Sequence, residues 1–116
     1  MTKSDLDGLI LGTGVPFFAI LKTEIAKMAL DAKLPTASDG DYWADAGALL
    51  SYSFSTLPLY RLQASLVKRI LAGEKPGDLP VQQPTKFELI LNMKTANALG
   101  LSVSPDFLQI VGRVIE

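Results

Sequence analysis

The sequence predicts an α/β fold in which helices flank a mostly parallel sheet. Short apolar strand patterns alternate with longer amphipathic helix patterns along all 116 residues, which is typical of a layered fold with a parallel sheet. The chain is 48% hydrophobic and 20% charged, and at this length it can bury roughly two-thirds of its unfolded surface in one core. We therefore expect a single α/β domain over residues 1–116.

The first predicted strand and helix lie in the N-terminal third. Leu6–Leu11 is a short apolar strand, after which Gly12-Thr13-Gly14 turns the chain into a helix that begins near Pro16 and runs to Lys33. Proline is favoured at the first position of a helix. The apolar side of this helix should pack on the sheet and is predicted to contain Phe18, Leu21, Ile25, Met28 and Ala29.

Two further strands are predicted before the middle of the chain. They are Leu34–Ala37 and Ala48–Tyr52, separated by a turn at Asp39-Gly40-Asp41 and one helical turn at Tyr42–Ala46.

A second amphipathic helix and a proline-rich segment follow. Tyr60–Leu71 is predicted to be helical, with its inward side formed by Leu62, Leu66, Ile70 and Leu71, and Gly73 marks its end. Three prolines in residues 76–84 exclude a helix there. Residues 74–85 are therefore predicted to be an extended linker.

The C-terminal quarter predicts one strand and two helices. The apolar pattern from Phe87 gives a strand, Met93–Leu99 is helical up to Gly100, and Pro105–Ile115 is a final helix capped by Ser104.

Composition excludes several classes of function. The formal net charge of −1 and the pI near 5.4 give no basic surface for nucleic acid. Histidine and cysteine are absent, which removes the usual general base, thiolate nucleophile and metal ligands. We expect no enzymatic activity, no metal and no cofactor. The competing hypothesis is a hydrolase that uses Asp39 and Asp41.

Candidate ligand-binding residues follow the first three predicted strands, because ligands of open α/β sheets bind beyond the carboxyl ends of the strands. The backbone at Thr13 and Gly14 can face an anion; alternatively, the glycines only permit a tight turn. A dinucleotide site is disfavoured, because Phe17 stands where the third glycine of that motif belongs.

The second and third loops supply polar side chains. Asp39 and Asp41 can pair with a ligand amine while Tyr42 or Trp43 stacks on its apolar part; alternatively, the turn is structural and Trp43 packs on the core. In the third loop, Ser53 offers a hydroxyl, and Tyr52 either lines a cleft or covers the end of the sheet.

The run GEKPGDLPVQQPTKFELILNMKTANALGLSV, residues 73–103, resembles the C-terminal signature of ABC-transporter substrate-binding proteins of the tryptophan/tyrosine type. The preceding elements also occur in the family's order, so the resemblance covers the whole chain but only about two-fifths of the family's usual length. It implies part of one lobe of a type I periplasmic-binding-protein fold, with residues 74–85 crossing between lobes. It further implies a small organic solute such as an aromatic amino acid, an ABC permease as partner, and a periplasmic location.

Two departures from the family pattern weaken the amino-acid assignment. The loop at Gly12-Thr13-Gly14 carries no acid, and Ser53-Phe54-Ser55 replaces a Gly-x-Asp sequence.

The N-terminus, with Asp5 and Asp7, does not match a secretory signal, so a chain expressed as given would be cytoplasmic. The alternative function is a truncated, non-binding lobe that forms a homo-oligomer, and we expect a homodimer, since a lobe without its partner exposes apolar surface.

Overall fold

A computed structural model describes residues 6–12, 14 and 16–116. Five strands of these residues form one sheet in the order β1-β2-β3-β4-β5. The strands are β1 (Leu9–Leu11), β2 (Thr36–Ser38), β3 (Leu50–Phe54), β4 (Phe87–Asn92) and β5 (Arg113–Ile115). The helices are α1 (Pro16–Ile20), α2 (Lys22–Asp31), α3 (Asp41–Asp45), α4 (Thr56–Leu71), α5 (Met93–Leu99) and α6 (Pro105–Ile110). The predicted α/β class with a mostly parallel sheet is confirmed.

The strand directions define two edges of the sheet. The pairs β1–β2, β2–β3 and β4–β5 are parallel. The Asn92 N–H at the end of β4 donates to the Leu49 carbonyl just before β3 begins, at 2.9 Å, so β4 runs opposite to β3. The carboxyl ends of β1, β2 and β3 therefore lie at one edge, and that of β4 lies at the other.

The chain divides into two compact units. Unit 1 contains the residues up to Ser53 and those from Glu88 onward, and unit 2 contains Phe54–Phe87. The predictions of a single domain over 1–116 and of a crossover role for residues 74–85 stay predictions.

Small side chains let the helices of unit 1 pack closely on the sheet. The largest fully buried apolar side chains are Trp43, Leu34, Ile90 and Leu91, and between them lie the buried alanines 26, 29, 44, 48 and 96. In α2, Ala26 and Ala29 are buried while Met28 is exposed, as is Phe18 in α1. The predicted inward positions of Phe18 and Met28 are therefore wrong, because the chain turns at Leu21 and α2 presents its alanines to the core.

Local signals in the sequence end the helices as expected. Gly73 and Gly100 adopt φ angles of 104° and 73°, the left-handed region that glycine enters without a Cβ clash. The Ser104 Oγ accepts a 3.2 Å hydrogen bond from the Phe107 N–H and caps α6.

The predicted helix over Pro105–Ile115 is wrong in its second half. Helix α6 ends at Ile110, and the chain continues into β5. The Gly112 N–H donates to the Leu89 carbonyl at 2.8 Å, and a Cβ at Gly112 would lie 2.9 Å from the Glu88 Cγ. The missing side chain thus lets residue 112 approach β4 closely enough to start a strand.

Unit 2 differs from prediction in three respects. Helix α4 begins at Thr56, four residues earlier than expected, and none of its residues is fully buried. Of the expected inward side chains, Leu62 and Leu66 are half-buried, whereas Ile70 and Leu71 are exposed. Proline is tolerated in the first turn of a helix, which is why Pro58 does not delay α4. For the same reason Pro76 opens a short 3₁₀ helix, Pro76–Asp78, inside the segment predicted to be extended.

Candidate functional site

The three candidate loops emerge from the same edge of the sheet. Leu11 is in register with Ser38, Ser38 is in register with Ser51, and the Asp39 N–H donates to the Leu11 carbonyl at 3.4 Å. Gly12 after β1, Asp39 after β2 and the last residues of β3, which include Tyr52 and Ser53, therefore lie toward one edge of the sheet, where ligands of open α/β sheets bind.

Buried hydroxyls hold the turn after β2 in place. The Ser51 Oγ donates to the Gly40 carbonyl at 2.7 Å, and the Ser38 Oγ lies 3.3 Å from the same oxygen. Two residues earlier in β2, the Thr36 Oγ1 accepts a hydrogen bond from the Leu49 N–H at 2.9 Å. Sequence analysis missed these residues, although polar side chains at alternate positions of two short strands were the available signal.

The two acidic candidates flank this fixed carbonyl. Asp39 is exposed, and Asp41 is half-buried as the first residue of α3. Because Gly40 is buried and held by β3, its two neighbours are positioned by the sheet rather than by a free loop. Among the described residues, no group of three metal-ligating side chains occurs.

The aromatic residues after the turn have separate positions. The Trp43 side chain is 1% exposed and packs in the core, as the structural alternative predicted. The Tyr42 ring stacks on it with centroids 5.9 Å apart, and the Lys22 Nζ lies 5.3 Å from the Tyr42 ring centroid. Tyr42 is thus the aromatic residue of this pair that has a surface position.

A small cavity lies next to the end of β1. It has a volume of about 150 Å³, and its lining includes Leu11, Gly12, Phe18 and Trp43. The indole Nε1–H of Trp43 is buried and has no acceptor among the described residues. A buried donor without a partner costs about 1–3 kcal/mol.

The remaining candidates are distributed over both faces of the sheet. Ser53 is 6% exposed and Tyr52 is 61% exposed, since neighbouring residues of a strand point to opposite faces. Ser53 lies on the same face of the sheet as Ser51, whose hydroxyl bonds to the turn at residues 39–41. Gly14 is exposed, and Thr13 lies outside the described residues.

The described helices include none that is long and apolar enough to cross a membrane. This finding concerns residues 16–110, where all of those helices lie.

Solved structures with the same fold span a much longer chain. A conserved domain protein from Vibrio cholerae O1 biovar El Tor matches with a TM-score of 0.88 and 24% identity, over 95% of this chain and 37% of its own. An ABC domain from Streptococcus pneumoniae, in complex with L-Trp, matches with a TM-score of 0.86 and 22% identity, over 97% of this chain and 39% of its own. The ligand-free, open structure of a Clostridium difficile substrate-binding protein with adhesive properties matches with a TM-score of 0.67 and 22% identity, over 96% of this chain and 37% of its own.

These structures share the fold of this chain, which spans less than two-fifths of their length. The prediction of part of a binding-protein fold is thereby confirmed.

No curated protein matches the sequence. The sequence model of the ABC transporter substrate binding protein family matches residues 3–115, which confirms the resemblance seen in the sequence. The family serves transport and is not enzymatic, as expected. Because the match covers nearly the whole chain, the protein belongs to the ABC transporter substrate binding protein family.

Proposed function

We propose that this chain is the solute-capturing component of an ABC transporter and that its solute is a small organic molecule such as an amino acid. The observation that carries the proposal is the acidic turn at the carboxyl edge of the sheet, fixed by the Ser51–Gly40 hydrogen bond at 2.7 Å, in a chain of this family.

The roles of the candidate residues follow from their chemistry. Asp41, with Asp39 beside it, pairs with the solute ammonium, because a desolvated cation needs a carboxylate partner. Ser53 donates a hydrogen bond from the buried face, and the backbone at Thr13 and Gly14 faces the solute carboxylate. Tyr52 contributes on the opposite face, at the rim of the cleft. Binding is by closure of two lobes on the solute, without covalent chemistry.

An aromatic amino acid is the first solute class to test, since the Streptococcus pneumoniae structure of the same fold holds L-Trp. Capture in the periplasm and delivery to an ABC permease complete the proposed role. Membership of the family supports both parts of this proposal.

Titration calorimetry with L-tryptophan and a panel of other amino acids tests this function. Asp41→Asn keeps the size of the side chain and removes its charge, so it should weaken binding by about tenfold or more. Asp106→Asn is the matched control, because Asp106 is an exposed carboxylate in the first turn of α6. Binding that is unchanged in Asp41→Asn, or heat from no amino acid, would contradict the assignment.

A second candidate function is a non-binding lobe that forms a homodimer, and the surface of α4 favours it. Exposed side chains recur along this helix at intervals of three and four residues: Leu57, Tyr60, Ala64, Val67 and Leu71. This spacing is that of a coiled-coil seam, and Leu71 is 83% exposed. A second copy of α4 can cover this stripe with an identical one, and an exchange of residues 74–85 between copies would reinforce the pairing.

Light scattering coupled to size exclusion measures the molar mass of the chain in solution and so distinguishes a monomer from a homodimer. The homodimer predicts twice the mass of the chain of 12.5 kDa, and Val67→Lys on the stripe should return it to the monomer mass. Gln63→Lys adds the same charge to α4 outside the stripe and should leave the dimer intact. A monodisperse monomer of the unmodified chain would contradict the dimer.

A further inference from the structure

Unit 2 carries more positive than negative charge. Its sequence has five lysines or arginines against two acidic residues, a formal charge of +3, in a chain whose total is −1. One of its two carboxylates, that of Glu74, forms an ion pair with Arg69 at 2.6 Å. The other cations of unit 2 form no ion pair with a described residue.

Two of these cations line one cavity. It has a volume of about 350 Å³ and lies between the first turns of α4 and the segment just before β4. Its lining includes Arg61 and Lys86, the hydroxyls of Ser55 and Thr85, and the apolar side chains of Leu59 and Leu62. The Ser55 N–H donates to the Lys86 carbonyl at 3.3 Å, so the two walls are joined at their base.

The chemistry of this lining is that of an anion site with an apolar side. Among the described residues that line it, none is an aspartate or a glutamate. The planar guanidinium of an arginine can donate two parallel hydrogen bonds to one carboxylate, and a lysine supplies a point charge beside it. Leucine side chains opposite the cations can cover an apolar body, as in ligand pockets generally.

We propose that this cavity is a binding site for small organic anions that carry a carboxylate on an apolar body, with Arg61 as the anchor and Lys86 as the second cation. It shares no residue with the acidic turn and the other candidates at the carboxyl edge of β1–β3. Arg61→Gln and Asp41→Asn therefore test the two sites separately.

Phenylacetate is a suitable probe, and phenylacetamide is its neutral counterpart of the same shape. In ¹H–¹⁵N spectra of the full chain, phenylacetate should shift the amides of Ser55, Arg61, Thr85 and Lys86. Arg61→Gln should weaken this binding by about tenfold, which corresponds to the loss of one charge-assisted pair. Lys68→Gln removes an exposed α4 cation that does not line the cavity and should leave the affinity unchanged.

Three results would overturn the proposal. The first is the absence of shifts at these amides, and the second is equal binding of phenylacetamide, because the site is defined by charge. The third is an Arg61→Gln variant that binds phenylacetate as tightly as the unmodified chain.

Discussion

The Ser51 hydroxyl donates a 2.7 Å hydrogen bond to the carbonyl oxygen of Gly40 and thereby ties β3 to the turn that follows β2. Both residues are buried, so water cannot replace the bond. A second hydroxyl, of Ser38, lies 3.3 Å from the same oxygen. The backbone between the two acidic candidates, Asp39 and Asp41, is therefore fixed by side chains of the sheet beneath it.

Replacing Ser51 by alanine should loosen this turn. The Gly40 carbonyl loses the shortest of three hydrogen bonds and keeps those from the Trp43 N–H at 3.1 Å and the Ser38 hydroxyl, so we expect a loss of about 0.5–1.5 kcal/mol in the free energy of unfolding. Urea denaturation measures it. Ser65→Ala is the control, since the exposed Ser65 hydroxyl bonds only within α4 and its loss should change little. Equal effects of the two substitutions would show that the buried bond does not hold the turn.

Asn92 joins the end of β4 to two other elements. Its Oδ1 accepts from the Thr95 N–H at 3.1 Å and caps α5, while its Nδ2 donates to the Ala44 carbonyl at 2.9 Å. Asn92→Ala removes a helix cap and one of the two hydrogen bonds that the Ala44 carbonyl accepts, the other coming from the Gly47 N–H at 3.1 Å, so it should cost about 1–3 kcal/mol. Thermal and urea unfolding should agree on this loss, and the exposed Asn97→Ala in the same helix should stay within about 0.5 kcal/mol. An Asn92→Ala chain as stable as Asn97→Ala would refute the role of the cap.

Gly100 is required by its backbone angle. Its φ of 73° is one that residues with a Cβ adopt at a cost, so Gly100→Ala should lower stability by about 1–2 kcal/mol. At Gly77 an added Cβ would meet no atom within 4 Å. Gly77→Ala should therefore be neutral in urea denaturation, and a neutral Gly100→Ala would contradict the assignment of this glycine as the end of α5.

The Arg69–Glu74 pair predicts a dependence of stability on pH. The hydrogen bond from the Arg69 side chain lowers the pKa of Glu74 below its ordinary value. A carboxyl with a lowered folded-state pKa stabilises the fold above its unfolded pKa, and this contribution disappears as the pH falls through the folded-state pKa. Since the pair is exposed, the effect should be small and weakened by salt.

Glu74→Gln tests this dependence in urea denaturation. The variant should be slightly less stable than the unmodified chain at neutral pH and equal to it in acid, below the folded-state pKa of Glu74. A difference that persists unchanged in acid would contradict the ionic origin of the effect.

Hydrophobic periodicity predicted most of the fold because the elements of unit 1 carry local signals. The strand from Phe87, the helix from Met93 and its end at Gly100 were predicted correctly, since each depends on residues next to it in the sequence. Strand β5 could not be predicted in this way. It exists because Gly112 approaches Leu89, a contact between residues 23 positions apart in the sequence.

In the candidate site too, some features follow from local sequence and others depend on contacts between residues distant in the sequence. The acidic turn and its place after β2 were visible in the sequence, since Asp39-Gly40-Asp41 is a turn motif after an apolar run. The bond from Ser51 to Gly40 depends on the register between β2 and β3, which no local pattern specifies. The burial of Trp43 was one of two interpretations that the sequence left open, and the packing of α3 decided it.

The central claim is that the carboxyl edge of β1, β2 and β3 binds a small organic solute. The most direct test is a ¹H–¹⁵N titration of the full chain with L-tryptophan. We predict saturable shifts at Gly14, Asp39, Asp41 and Ser53, abolished or strongly weakened in Asp41→Asn. Shifts confined to Ser55–Lys86, or no shifts at all, would contradict the claim.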